Sequence, residues 1–254
     1  METKNKIALV TGGSRGLGRD MALNLAKQGN DIVITYHSNK EKADEVTAEI
    51  ESLGQKAIAL QLDTSKVADF DAFIDSFKEA LKSISGESTF DFLINNAGTG
   101  HYMPFAQTTE EQFDQLMNVH FKGVYFLTQK CLELMNNGGR IINISSGLAR
   151  FSMPGSSAYA SMKGGVEVLT RYLAKELGER QIAANIVAPG AIETDFGGGR
   201  VRDDEATNQM VSSVTALGRA GLPEDIGGVV AFLCSEAGRW INGQRIEVSG
   251  GMLL

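Results

Sequence analysis

The sequence is sparing with several residue types that commit a chain to a particular setting. It has two cysteines in 254 residues, Cys131 and Cys234. Both stand in apolar surroundings with no C-x-x-C spacing, so they read as buried free thiols and no metal site is expected. Proline is scarce, at four, and no linker or repeat interrupts the chain. Cationic residues are outnumbered, 24 Lys and Arg against 31 Asp and Glu, for a net charge of −7. No overall positive field would draw such a chain to nucleic acid or to an anionic membrane, and neither is expected as a partner. Long apolar runs are missing too. The opening Met1-Glu-Thr-Lys-Asn-Lys6 leads into only four apolar residues, Ile7 to Val10, far short of a signal-peptide core or of the roughly 20 residues that span a bilayer. A cytoplasmic protein is the expectation.

Glycine is abundant instead: 29 residues, about 11% against an average of about 7%, so many backbone positions require a positive φ or a close approach. The remaining composition, 43% hydrophobic and 22% charged, is that of a globular chain with a sizeable core. Short β-branched runs predict strands at Ile7 to Val10, Asp31 to Thr35, Ala57 to Gln61, Phe92 to Ile94, Arg140 to Ile144, Ala183 to Val187 and Arg245 to Val248. Between them lie longer segments with helix-start signals: Ser38-x-x-Glu41, Thr109-x-x-Gln112, and Pro223 at a first helical position. Strand and helix in alternation, with strands nearly continuous in apolar residues, predict an α/β fold: one parallel sheet, doubly wound, with helices on both faces. The last strand is needed to finish that sheet, so residues 1–254 read as a single domain. The glycine-rich stretch after Asp195, running to Ala216, reads as a substrate lid.

The first turn carries the strongest local signal. Thr11-Gly-Gly-Ser-Arg-Gly-Leu-Gly18 follows a strand and opens an apolar-periodic helix through Leu17, Met21 and Leu25. Glycines in that context let backbone N–H groups approach a pyrophosphate at a helix N-terminus. Further along stand Asn95-Asn-Ala-Gly98, Ser146 thirteen residues before Tyr159, Tyr159-Ala-Ser-Met-Lys163, and Pro189-Gly190. In these motifs the chain resembles the short-chain dehydrogenase/reductase family from about residue 6 to Gly251. The resemblance implies a Rossmann-type sheet of about seven strands, hydride exchange with a nicotinamide dinucleotide, and a homotetramer or homodimer.

For the cofactor, the resemblance assigns Gly12, Ser14, Arg15, Gly16, Leu17 and Gly18 to the phosphate turn. It sets Asp63 on the adenine amino group and Asn95, Ala97 and Gly98 along the adenosine ribose, although Asn95-Asn96 can equally be turn chemistry. Pro189, Gly190, Ile192 and Thr194 would hold the nicotinamide. An acidic residue at the end of the second strand would repel a 2′-phosphate, but Tyr36 stands there. Arg15, His37, Ser38 and Lys40 offer cationic and hydroxyl donors instead, which favours NADP(H) over NAD(H). The alternative is that Arg15 and Lys40 are plain surface charges and Ser38 only a helix cap.

Tyr159 and Lys163, at i and i+4, share one helix face. A phenol is a poor acid or base at neutral pH, and a nearby cation lowers its pKa, so Lys163 and an oxidised nicotinamide ring are both expected to acidify Tyr159. Ser146, at the end of a strand, is expected to hold the substrate oxygen beside that phenol, with Ser145 facing the other way. By resemblance Lys163 also grips the nicotinamide ribose. The family usually carries Asn where this chain has His120, in Asn118-Val-His-Phe-Lys-Gly-Val124. A neutral imidazole can hold the same relay water, with a steeper acidic limit expected because it can charge; a plain core histidine is the alternative.

Substrate contacts are expected from His101, Tyr102, Met103, Leu148, Phe151, Met153 and the lid. Their aromatic and thioether character favours an apolar or moderately polar ketone over a dicarboxylate. The pattern is also similar to that of 3-oxoacyl-carrier-protein reductases, yet Asn136-Asn-Gly-Gly139 occupies a stretch where those enzymes tend to be basic, with Lys175 left to serve a carrier. An enoyl reductase would want six residues between tyrosine and lysine rather than three. A non-catalytic NADPH-sensing protein of the same fold could dispense with Ser146, Tyr159 or Lys163, and this chain keeps all three.

Overall fold

The computed structural model describes residues 5–254; Met1 to Lys4 of the charged opening lie outside the described residues. Seven strands, β1 (Ile7–Val10), β2 (Asp31–Tyr36), β3 (Ala57–Gln61), β4 (Phe90–Asn95), β5 (Met135–Ile144), β6 (Ala183–Pro189) and β7 (Arg245–Val248), form one sheet. Its order is β3-β2-β1-β4-β5-β6-β7, and every pairing is parallel. The order reverses direction between β1 and β4, the point at which doubly wound sheets open a crevice at their carboxyl ends.

Strand periodicity explains why both faces need cover. Along β1, Ala8 and Val10 join one apolar cluster while Ile7 and Leu9 join the other, as successive side chains on a pleated strand must. On the first face lie α1 (Gly16–Lys27), α2 (Lys40–Ser52) and α9 (Glu224–Cys234), packing Met21, Leu25, Val46 and Val230. On the second, α3 (Phe70–Ser85) and α5 (Gly123–Cys131) bring Phe70, Phe77 and Leu127. Phe77 is fully buried and meets the Phe90 ring edge-on at 5.0 Å; truncating such a side chain typically costs about 3–5 kcal/mol. The same face carries α6 (Ser157–Glu176), whose residues Thr170 and Ala174 are buried. Cys131 and Cys234 are buried free thiols, each pushed up to about 12 by burial.

The helix-start signals resolve differently. Thr109 makes the full reciprocal cap with Gln112 at the start of α4 (Glu110–Met117). Ser38 does not cap α2; the chain makes one more bend after β2, and Asn39 accepts from the Lys42 N–H at 2.9 Å. Pro223 has helical angles but sits one position before α9. β5 begins five residues earlier than its apolar pattern, at Met135, because Met135 pairs with Phe90 of β4; Asn136 to Gly139 form a register irregularity before pairing resumes between Phe92 and Arg140. Gly197, Gly198 and Gly199 hold φ of +61°, +78° and +77°, a left-handed run that only glycine adopts freely. From it hang α7 (Arg200–Asp203) and α8 (Glu205–Ser213). No helix of the described residues is long and apolar enough to cross a membrane.

Candidate active site

A cleft of about 700 Å³ runs along the carboxyl ends of the strands, from the glycine turn at one end to Tyr159 and Phe151 at the other. Its floor at the first end is backbone. Gly12 and Gly16 take φ of +66° and +52°. At Gly18 a Cβ would lie 2.2 Å from the Gly12 carbonyl oxygen, so any other residue would force the turn open. Arg15, the residue that caps α1, is extended and caps nothing with its side chain. The first-turn N–H groups of α1 therefore keep no side-chain partner from that residue and face the cleft, as an anion site requires. A backbone cradle closed to side chains, leading into a cleft of dinucleotide size, fits the cofactor that the motifs imply.

Gly12, Ser14, Arg15, Gly16, Leu17, Gly18, His37, Asp63, Ala97 and Gly98 all line this end. Two assignments need correction. Asn95 does not line the cleft: it is buried, and its amide donates to Asn143 Oδ1 (2.8 Å) and Thr128 Oγ1 (2.9 Å), because the last residue of a central strand points into the layer beneath. Asn96 lines the cleft in its place, its amide donating to the Thr11 carbonyl at 2.8 Å. Ser38 is also absent from the lining, and Lys40 is spent on Asp44, one turn along α2. Arg15 and His37 remain in the lining, and Tyr36 closes β2; Arg15 stands 3.6 Å from Asp195 and the His37 ring 3.6 Å from Asp63. Burial alone would raise the Asp63 carboxyl, but two hydrogen bonds from Ser65 and the His37 ring outweigh it and hold the group below its usual range.

At the other end the structure brings Ser146, Tyr159 and Lys163 together with Pro189, Gly190, Ile192 and Thr194. Ser145 turns away, its hydroxyl donating to Glu167 Oε1 at 2.7 Å. Lys163 is buried, donates to the Ile144 carbonyl at 2.7 Å and lies 5.6 Å from the centre of the Tyr159 ring. Burial pushes its ammonium down to about 8. The expected acidification of Tyr159 is reversed in the protein alone. Burial pushes the phenol up to about 12, and the Ser146 hydroxyl only partly opposes this, since desolvation of a phenolate outweighs one hydrogen bond.

His120 sits in a π-helical turn, Asn118–Lys122, that joins α4 to α5, a local irregularity often found at functional positions. The turn lets Gly123 pass so near the Thr64 carbonyl that a Cβ would come within 2.1 Å of it. The ring is fully buried and meets Tyr159 edge-on at 5.0 Å. Nε2 lies 2.7 Å from the Thr99 carbonyl oxygen and 3.2 Å from the Thr99 N–H, so it donates to the first or accepts from the second according to which nitrogen carries the proton. Nδ1, buried and without a partner among the described residues, is the complementary acceptor or donor. Burial, reinforced by the Lys163 ammonium, pushes His120 down to about 3. The steeper acidic limit expected from its charging is therefore not what this environment gives: the ring stays neutral throughout the working range.

Leu148, Phe151 and Met153 line the substrate end, but His101, Tyr102 and Met103 do not. Tyr102 lies instead under the Arg200 guanidinium, 5.8 Å away, with its ring over Gly155. Sequence reasoning missed Met252, which lines the cleft because the chain after β7 folds back and its carbonyl accepts from Arg150 at 2.8 Å. Phe196 and Val201, within the stretch read as a lid, also face the cleft.

Residues 12–253 match the family model described as enoyl-(acyl carrier protein) reductase. The tetrahydroxynaphthalene reductase PfmaG of Pestalotiopsis fici is 38% identical over 257 residues, spanning 97% of this chain and 91% of that protein. Among solved structures, the reductase LugOII, described as catalysing keto-reduction at C1 in lugdunomycin biosynthesis, superposes with a TM-score of 0.94 at 38% identity over the whole of both chains. The angucycline C-6 ketoreductase LanV, solved with bound NADP, gives 0.93 at 36% identity over 98% and 95% of the two chains. The seven-stranded parallel sheet, the motifs along its carboxyl edge and these full-length likenesses establish that the chain belongs to the short-chain dehydrogenase/reductase family, as an oxidoreductase acting between C=O and CH–OH.

Proposed function

We propose that this protein reduces an apolar, ring-bearing ketone to the alcohol with NADPH, and that Tyr159 supplies the proton. The observation that carries this reading is the convergence of Ser146, Tyr159 and Lys163 on one end of a cleft whose other end is a backbone cradle for phosphate. NADPH supplies the hydride. The chain's own groups do the rest. A phenol held near 12 is protonated at neutral pH, the state an acid needs when a carbonyl oxygen gains negative charge. The Ser146 hydroxyl donates to that oxygen and fixes it beside the phenol. Lys163, anchored on Ile144, keeps a positive charge under the site as the phenol gives up its proton. Nδ1 of His120, without a protein partner among the described residues, offers a water behind Tyr159 an acceptor or a donor according to the tautomer, which makes His120 part of the same relay.

The preference for NADPH rests on Arg15 and His37 at the adenosine end, on Tyr36 where a carboxylate would exclude a 2′-phosphate, and on the NADP bound by LanV. The choice of ketone rests on the lining by Phe151, Met153, Phe196 and Met252, and on relatives that reduce hydroxynaphthalene and angucycline ketones. A carrier-bound 3-oxoacyl substrate is the second reading; the description of the matched family model favours its carrier-bound part, although that description names an enoyl group and not a ketone. Self-association belongs to the proposal as well: Phe113, Tyr125 and Tyr172 expose aromatic surface on α4, α5 and α6, which a second copy would cover. Residues 195–216 then serve as the lid over the substrate end of one domain. The test is NADPH consumption, followed by absorbance and product analysis, with fused-ring ketones beside 3-oxoacyl thioesters. Turnover of the ring ketones supports the reading; turnover of the thioesters alone replaces it with the second.

A further inference from the structure

Three consecutive residues at the end of β5 are each gripped by a charged side chain. Lys163 donates to the Ile144 carbonyl at 2.7 Å, the Ser145 hydroxyl donates to Glu167 Oε1 at 2.7 Å, and Arg245 Nη2 donates to the Ser146 carbonyl at 3.2 Å. Two of the gripping residues stand on α6 in register with the phenol: Tyr159, Lys163 and Glu167 follow at i, i+4 and i+8 and share one face. The third comes from β7, which is separated from β5 by β6, so the Arg245 side chain crosses a whole strand to reach it. It is held in that pose from both sides, by Glu167 through Nε at 2.7 Å and by Glu247 through Nη1 at 3.1 Å. Glu247 in turn pairs with Arg150 at 2.7 Å, and Arg150 donates to the carbonyl of Met252 in the cleft wall.

Arg245, Glu167 and Glu247 keep only 24%, 15% and 21% of their side-chain surface exposed, and Glu247 Oε1 is buried with no hydrogen bond among the described residues. An ion network desolvated to this degree, with one oxygen left unpaired, adds little net stability compared with apolar side chains of the same size. What it does add is geometry: a planar guanidinium with fixed donors cannot move without breaking charge-assisted bonds on three sides.

We infer that Arg245, braced by Glu167 and Glu247, is a positioning residue that fixes the Ser146–Gly147 peptide so that the Ser146 hydroxyl stays against Tyr159. The inference rests on the reading of Ser146 and Tyr159 as the groups that meet the ketone oxygen. Neither Arg245 nor Glu167 lines the cleft, whereas Ser146 does, so their effect on the ketone oxygen runs through Ser146. A displacement of that hydroxyl by about 1 Å is enough to lower turnover about 100-fold.

The experiment compares wild type with Arg245→Met, Arg245→Lys, Glu167→Gln and Ser146→Ala by four measurements: melting temperature, NADPH affinity by fluorescence, kcat and KM with a reducible ketone, and the ¹³Cζ resonance of labelled Tyr159. Arg245→Met is expected to lower kcat about 10–100-fold while NADPH affinity stays within about 3-fold. It should also move the Tyr159 resonance toward its position in Ser146→Ala. Arg245→Lys should recover part of both effects, and Glu167→Gln, which keeps its acceptor oxygen, should shift them by only a few fold. If Arg245→Met left kcat and the resonance unchanged, or lowered NADPH affinity and kcat together in step with the melting temperature, the inference would be overturned and the network would be structural only. The resonance is read without substrate, so an inactive wild type would sink the ketone-reductase reading while the positioning claim is still judged on its own. If Arg245→Met does not fold, Glu167→Gln and Arg245→Lys decide the matter by the same criteria.

Discussion

Lys163 is expected to cost the protein stability while serving its chemistry. Its ammonium is buried and pushed from 10.5 down to about 8, and at about 1.4 kcal/mol for each pKa unit this corresponds to about 3 kcal/mol of unfavourable burial at neutral pH. Replacing it by Met keeps the stem volume and removes the charge. The replacement also strips the Ile144 carbonyl of its donor, which costs about 1–2 kcal/mol. The balance predicts that Lys163→Met is more stable than wild type at pH 7 by about 1–2 kcal/mol, or roughly 2–6 °C in melting temperature for a chain of this length. The pH dependence makes the test specific. Between about 8 and 10.5 the unfolded lysine still binds a proton that the folded one has lost, so wild-type stability rises through that window relative to the variant. The advantage of Lys163→Met should shrink from pH 8 upward, be gone at about pH 9–9.5, and turn into a deficit of about 1–2 kcal/mol near 10.5, where only the lost Ile144 hydrogen bond remains. Thermal melts of the unliganded proteins across pH 7–10 measure it. A variant less stable than wild type at pH 7, or an advantage that does not change with pH, would refute the reasoning.

Other outcomes follow from the same structure. His120, held at about 3 in the fold and 6.5 when unfolded, depresses the native pKa, so its contribution is present above 6.5 and is lost as pH falls toward 3. Wild type should lose up to about 1.4 kcal/mol per pH unit below 6.5 that His120→Asn does not, while the acidic limb of turnover between pH 5 and 7 should be the same in both; urea melts and pH–rate profiles check the two halves. Gly18→Ala, whose Cβ would strike the Gly12 carbonyl, should abolish NADPH binding in a fluorescence titration. Arg15→Ala should weaken NADPH more than NADH by about 10-fold or more, from the loss of a charge-assisted bond of about 1.5–3 kcal/mol, read as the ratio of the two kcat/KM values.

Much of this fold is legible because its strands are buried on both faces. Continuous β-branched runs at Asp31, Ala183 and Ile7 mark the sheet wherever side chains alone decide the matter. The start of β5 is not legible: Asn136 to Gly139 have no strand pattern, and only the pairing of Met135 with Phe90 of β4 carries the strand back past them. Local signals also fail where two neighbours compete for one role, as Ser38 and Asn39 do for the cap of α2, or Asn95 and Asn96 for the cleft; a one-residue difference along a strand exchanges the buried face for the open one. The site's ionisation was the least legible part. A lysine four residues from a tyrosine suggests an acidified phenol, but the spacing says nothing of desolvation, which dominates once both groups are buried. The cleft wall formed by Met252 and the brace from Arg245 depend on contacts that span a hundred residues, beyond the reach of any local pattern.

The most direct test of proton delivery by Tyr159 is single-turnover reduction of a ring ketone by Tyr159→Phe preloaded with NADPH. Hydride transfer slower by about 10²–10⁴-fold, with NADPH affinity unchanged, is the predicted result; transfer within a few fold of the wild-type rate would mean that another group supplies the proton.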